Sequence, residues 1–190
     1  MNQTNSKESF AKLKACILYA CEKQDASNVL DSVKLNKVLW YADTAAYLQN
    51  GESITGSRYI RKPKGPVAYA PAAVKDFAAH GALTLGRRFD EASGAWLETY
   101  EVTHTGQQVE DRFGEDGEAQ IMLSDRDKER LDRAFKTACV DHTSQSISEK
   151  THGEIWNLAK DGEDIPLYAI YAERLGQITK THIHDAAPTA

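Results

Sequence analysis

Residues 32–50 read SVKLNKVLWYADTAAYLQN, and the way this stretch folds decides the rest of the chain. Wound as a helix at about 100° per residue, it gathers Leu35, Val38, Leu39, Ala42, Ala45 and Ala46 onto one broad apolar face. Its other side is not simply polar: Asn36, Trp40, Asp43 and Tyr47 form a second stripe at helical spacing. Large aromatics opposite an apolar face predict a helix packed on two sides, hence a central helix. Asp43 is then expected to lie inside and to be hydrogen-bonded to a backbone donor or a basic group, because an unpaired buried carboxylate is costly. Ser32 stands where the N-cap is expected and Gly51 where a left-handed residue closes the helix.

Working outward, the spacing of Phe10, Leu13, Ile17 and Cys21 predicts a first helix over 5–23, with Asn5 and Glu8 spaced as a helix-start box. Residues 53–68 predict a short extended piece and then a structured loop. Pro71 opens a third helix that ends at Gly81. A β-hairpin is expected over about 82–102, with strands at 82–89 and 96–102 joined through turn residues 91–94. Residues 104–120 are polar and Gly-rich, read as part helix and part loop. Ser124 with Asp127 predicts the start of a helix striped by Leu131, Ala134, Phe135, Ala138 and Cys139 and ending near Asp141. Ser146 with Glu149 starts another, with Ile147, Thr151, Ile155 and Leu158 inward, His152 and Trp156 one turn apart, and Gly162 at its end. A short strand is expected within 165–172. The fold class is α+β: a mainly helical single domain over 9–175, with a flexible terminus at 1–8 and a poorly ordered tail at 176–190.

Composition sets bounds on function. Hydrophobic residues make up 41% and charged residues 27% of the 190, which is ordinary globular usage. A formal net charge of −5 argues against general affinity for nucleic acid or anionic membrane. No run is apolar enough to cross a bilayer and no signal-peptide pattern opens the chain, so a cytoplasmic location is expected. Cys16, Cys21 and Cys139 form no paired framework and read as reduced thiols among helix formers.

Four blocks now stand together. They are Lys34-Leu35-Asn36-Lys37-Val38-Leu39-Trp40-Tyr41-Ala42-Asp43, Ile54-Thr55-Gly56, Gly65-Pro66-Val67, and Thr151-His152 with Trp156 and then Asp161-Gly162-Glu163-Asp164-Ile165-Pro166. In this order they resemble the signature of the Panacea domain, the family of SocA-like antitoxins. Many relatives carry other aromatics at Trp40-Tyr41, and Ala68-Tyr69-Ala70-Pro71 and residues 115–117 match no family pattern. The resemblance implies an α+β domain that neutralises a toxin by direct contact, in some relatives as an adaptor that delivers the toxin to a protease complex. It implies structural roles for Lys34, Lys37, Tyr41, Asp43, Gly65, Pro66, His152, Trp156 and Pro166, and leaves open whether the protein is a homodimer.

Catalysis needs a nucleophile, a base and an orienting group, or metal ligands at workable spacing, and neither pattern is legible. His182 and His184 read as a solvated tail, and His80, His104 and His142 as surface residues beside turns. His152 is expected to satisfy a backbone carbonyl while Trp156 seals the core. No catalytic residue, metal site or cofactor is assigned. Partner contact is assigned instead to the stiff basic segment 58–69, through Tyr59, Arg61, Lys62, Lys64 and Tyr69, since arginine and tyrosine are enriched at binding hot spots. The alternatives are a nucleic-acid-binding regulator using the 82–102 hairpin, with Arg87 and Arg88, as a wing, and a hydrolase built on Asp43 and His152.

Overall fold

A computed structural model describes residues 3–68, 71–79, 83–91, 94–103 and 123–174. Tyr69, Gly81, His80, residues 104–120, His182, His184 and the expected tail lie outside them. In chain order come α1 (Gln3–Glu22), α2 (Ser32–Asn50), β1 (Tyr59–Lys62), β2 (Gly65–Ala68), α3 (Pro71–Ala79), β3 (Leu83–Asp90) and β4 (Ala95–Val102). There follow α4 (Asp125–Phe135) with a π-helical extension (Lys136–Val140), α5 (Ser144–Lys150), α6 (Glu154–Asn157), β5 (Asp164–Ile165), a 3-10 turn (Leu167–Ala169) and α7 (Ile170–Arg174). The domain is mixed α+β and mainly helical, as expected.

Helix α2 is the hub, touching α1, α4, α5, α7, β2 and β4. Leu35, Val38, Leu39, Ala42 and Ala46 are buried on one side, and Trp40 and Asp43 on the other. Burying each of the larger aliphatics stabilises the fold by about 1.5–3 kcal/mol. The core continues into Leu13, Cys16, Ile17 and Ala20 of α1 and Leu131, Ala134 and Phe135 of α4. Phe10, expected in the α1 stripe, stays outside under the Lys14 ammonium, 4.9 Å from its ring centre.

The N-cap of α2 is Asp31, not Ser32. Its carboxylate accepts the Val33 and Lys34 N–H groups at 2.9 and 3.0 Å, and a negative charge suits the positive end of the helix better than a hydroxyl. Gly51 closes the helix at φ +77°, its N–H on the Tyr47 carbonyl. The expected structured loop over 58–66 is a β-hairpin: β1 and β2 pair antiparallel from Tyr59↔Ala68 to Lys62↔Gly65, and β5 adds a third strand beside β1. Pro66 fits because β2 is an edge strand, where a missing N–H costs no ladder bond. The second hairpin, β3–β4, runs in register from Leu83↔Val102 to Asp90↔Ala95.

Two further expectations change. The helix expected from 146 is two short ones. Thr143 caps the first in a reciprocal box with Ser146, and the Thr151 hydroxyl then donates to the Ile147 and Ser148 carbonyls at 3.2 and 2.8 Å. A side chain bonding back to the preceding turn competes with the helix ladder there, and the chain restarts at Gly153. The strand expected within 165–172 is Asp164–Ile165 alone; Pro166 ends it, and helical turns follow.

Candidate functional site: where the signature segments meet

The second side of α2 is organised by Asp43, which has 0% exposure. One carboxylate oxygen accepts the Ile54 and Thr55 N–H groups at 2.8 and 3.0 Å; the other accepts the hydroxyls of Thr55 and, at 2.8 Å, Tyr59. Its donors are backbone N–H groups and hydroxyls rather than a basic side chain. Burial pushes the carboxyl above its ordinary value, and the four donors pull against that without cancelling it. Tyr59 is drawn wholly inside, edge-on to Trp40 at 5.0 Å. This lock fixes where β1 begins.

Nearly two turns earlier, Lys37 is also inside, at 1% exposure, and donates to the Pro66 carbonyl at 3.0 Å. Desolvation lowers its ammonium to about 7. Gly65 makes that approach possible: it sits at φ +95°, and a Cβ there would lie 2.6 Å from Lys37 Nζ and 2.5 Å from Thr151 Oγ1. Lys34, on the other side, donates to the Cys139 carbonyl at 3.3 Å in the π-helical turn, a cation placed at a helix C-terminus.

Outside this bond lies a three-layer stack. The His152 imidazole is parallel to the Trp156 indole, with centroids 4.1 Å apart, and the Arg61 guanidinium covers the indole at 3.8 Å. Arg61 also donates to the Ala159 carbonyl. Desolvation and then Lys37 hold the His152 imidazolium below its ordinary value, with the Pro63 backbone acting in the opposite direction. The His152 Nε2 is buried without a hydrogen-bond partner among the described residues. The structure thus joins α2, the β1–β2 hairpin and the 151–156 segment through Lys37, Gly65, Pro66, Thr151, His152, Trp156 and Arg61.

The residues assigned to partner contact separate. Tyr59 is core and cannot line a surface, because its hydroxyl is committed to Asp43. Arg61 is laid flat on Trp156. Lys62 is half-buried and Lys64 exposed at the turn, and Tyr69 lies outside the described residues. Tyr41 is half-buried on α2, and Pro166 follows the last strand. His142 is half-buried, its ring nitrogens 3.2 Å from Ser146 Oγ and Lys150 Nζ. The Asp43 carboxylate is taken up by its four internal donors, and His152 is not one of them.

Asp31 was missed. Beyond capping α2, its second oxygen accepts from Ser144 and, at 2.8 Å, from Arg88 of β3, so it ties α5 and the second hairpin to the hub. A helix-start aspartate carries no sequence mark of such long-range partners. Arg88 is therefore occupied, whereas Arg87 is exposed, as are Trp96 at 65% and Phe89 at 46%, which meet edge to face at 5.5 Å. Among the described residues no cluster of His, Cys, Asp or Glu has a metal-holding arrangement, and no helix is long and apolar enough to cross a membrane.

The family model described as antitoxin SocA-like, Panacea domain, matches residues 35–157, well over half of the chain. The chain belongs to this family. No curated protein and no solved structure matches it. The Panacea match takes in Asp43 and the junction residues Lys37, Gly65, Pro66, His152 and Trp156, and stops short of Lys34 and Pro166.

Proposed function

We propose that this protein is a cytoplasmic antitoxin that neutralises a cognate toxin by direct protein contact, without a cofactor or a chemical step. The observation that carries the reading is the internal commitment of the Panacea signature: Lys37 is spent on the Pro66 carbonyl and Asp43 on the 54–59 segment. Those polar groups build a rigid frame, and recognition is left to what the frame presents. The β1–β2 turn, flanked by half-buried Lys62 and carrying exposed Lys64, is a stiff basic element on an acidic protein, held by Lys37 and Arg61. A clamped turn loses little conformational entropy on docking, which favours it as a contact element.

The test is binding of the co-expressed toxin to Lys62→Glu/Lys64→Glu. Affinity should fall by about tenfold or more, mainly through slower association, with the far-UV spectrum unchanged. Unchanged affinity removes the turn from the mechanism. Sequestration alone suffices for neutralisation. Delivery to a protease is the separate mode in which the toxin's lifetime in cells shortens when this chain is present.

A further inference from the structure

On the side of the domain formed by the end of α1 and β4, segment 24–29 lies alongside the strand and encloses an open groove of about 850 Å3. Its walls are held in place: the Gln24 side chain donates to the Tyr100 carbonyl, and Asp31 bridges to Thr99. Val29, Tyr100 and Val102 give it an apolar floor, and Glu22, Asp25 and Glu101 are its charged lining residues, with no lysine or arginine among them. The neighbouring Lys23 turns away, pairing with Asp132 at 2.9 Å and covering the Tyr19 ring. Glu22 and Glu101 are exposed and make no ion pair with any described residue. Asp25 accepts the Ser27 and Asn28 N–H groups, both at 2.8 Å, and the Asn28 side-chain amide, which holds its carboxyl below the usual range and keeps it ionised.

We propose that this groove docks a basic, extended segment of a partner protein, with one aliphatic or aromatic side chain over Val29 and Val102 and flanking lysines or arginines against Glu22, Asp25 and Glu101. The charge selects the occupant. Nucleic acid and acidic peptides are repelled by three carboxylates with no countercharge in the lining. The end of β4 and the residue after it, 99–103, line the groove and match about five residues of extended chain at roughly 3.3 Å each. The proposal does not depend on the partner being a toxin, and its surface is separate from the Lys62–Lys64 turn.

The probe is the pentapeptide Lys-Lys-Leu-Lys-Lys, titrated into the full 15N-labelled chain. Saturable amide shifts are expected around Val29, Tyr100 and Val102, with affinity reduced about tenfold or more in Glu22→Lys/Glu101→Lys and clearly lower for pentalysine. Both substituted positions are exposed, so the fold is retained and the spectrum reports it. Absence of localised shifts, equal binding of pentalysine, insensitivity to the double substitution, or an equal loss in Asp161→Lys outside the groove would each overturn the proposal.

Discussion

Replacing Asp43 by alanine removes the acceptor of four hydrogen bonds from a site with no solvent. The Thr55 and Tyr59 hydroxyls can rotate toward other acceptors, but the Ile54 and Thr55 N–H groups are fixed by the backbone. Each stranded N–H costs about 1–3 kcal/mol, so Asp43→Ala should lose roughly 3–5 kcal/mol with the packing loss included. Against a typical domain stability of about 5–15 kcal/mol, that leaves a marginal protein. Asp43→Asn keeps a carbonyl for the two N–H groups and offers an amide to hydroxyls that can turn round, so it should cost only about 1–2 kcal/mol. Urea unfolding followed by tryptophan fluorescence measures both, since Trp40 touches the Tyr59 ring. The pH dependence adds a sign. With its folded value raised, Asp43 binds its proton in the native state before the unfolded chain does. Relative to Asp43→Asn, the parent should therefore gain stability as pH falls through the window from that raised value to the ordinary carboxylate value. A cost below about 1 kcal/mol for Asp43→Ala would refute the claim that this carboxylate locks the 54–59 segment.

Other substitutions test the junction. Gly65→Ala drives a Cβ into Lys37 and Thr151 at a positive φ and should cost about 2–4 kcal/mol, read as a clear drop in Tm. Lys37 has its folded value lowered to about 7, so the native state sheds this proton before the unfolded chain does; stability relative to Lys37→Met should rise from pH 7 to 10, at most by about 1.4 kcal/mol per unit. A flat difference across that range in denaturant titrations counts against a desolvated amine. Arg88→Gln leaves a fully buried carboxylate oxygen with only Ser144, and because Arg88 is 40% exposed and partly screened the loss should be about 1–2 kcal/mol in chemical unfolding. Trp156→Phe should release Arg61 and His152, with a larger change in the His152 titration by NMR than in stability.

How much was legible in the sequence follows the range of the interactions. The two-sided pattern of 32–50 was readable because helical periodicity is local, and it predicted both the central position of α2 and the internal bonding of Asp43. The β3–β4 hairpin and the Ser124 start of α4 were readable for the same reason. The β1–β2 hairpin was not: its strands are four residues each, too short for alternation to register, and its turn is set by Gly65 meeting Lys37 across the fold. Tyr59 looked like a contact residue because its basic neighbours suggested surface, whereas its partner is Asp43, sixteen positions earlier. The break at Thr151 was hidden because threonine tolerates a helix, and only its back-bonded hydroxyl ends one here. Helical periodicity carries no mark of the partners of Lys34 and Lys37, which are interior because carbonyls of distant segments accept from them.

The central claim is that this chain acts by holding another protein. Growth of cells expressing the product of the adjacent reading frame, with and without this chain, tests it most directly. The account predicts growth arrest by that product alone, rescue by the intact chain with the two proteins copurifying, and weakened rescue by Lys62→Glu/Lys64→Glu. Rescue with no complex between the two proteins, or a neighbour that is harmless without this chain, would contradict it.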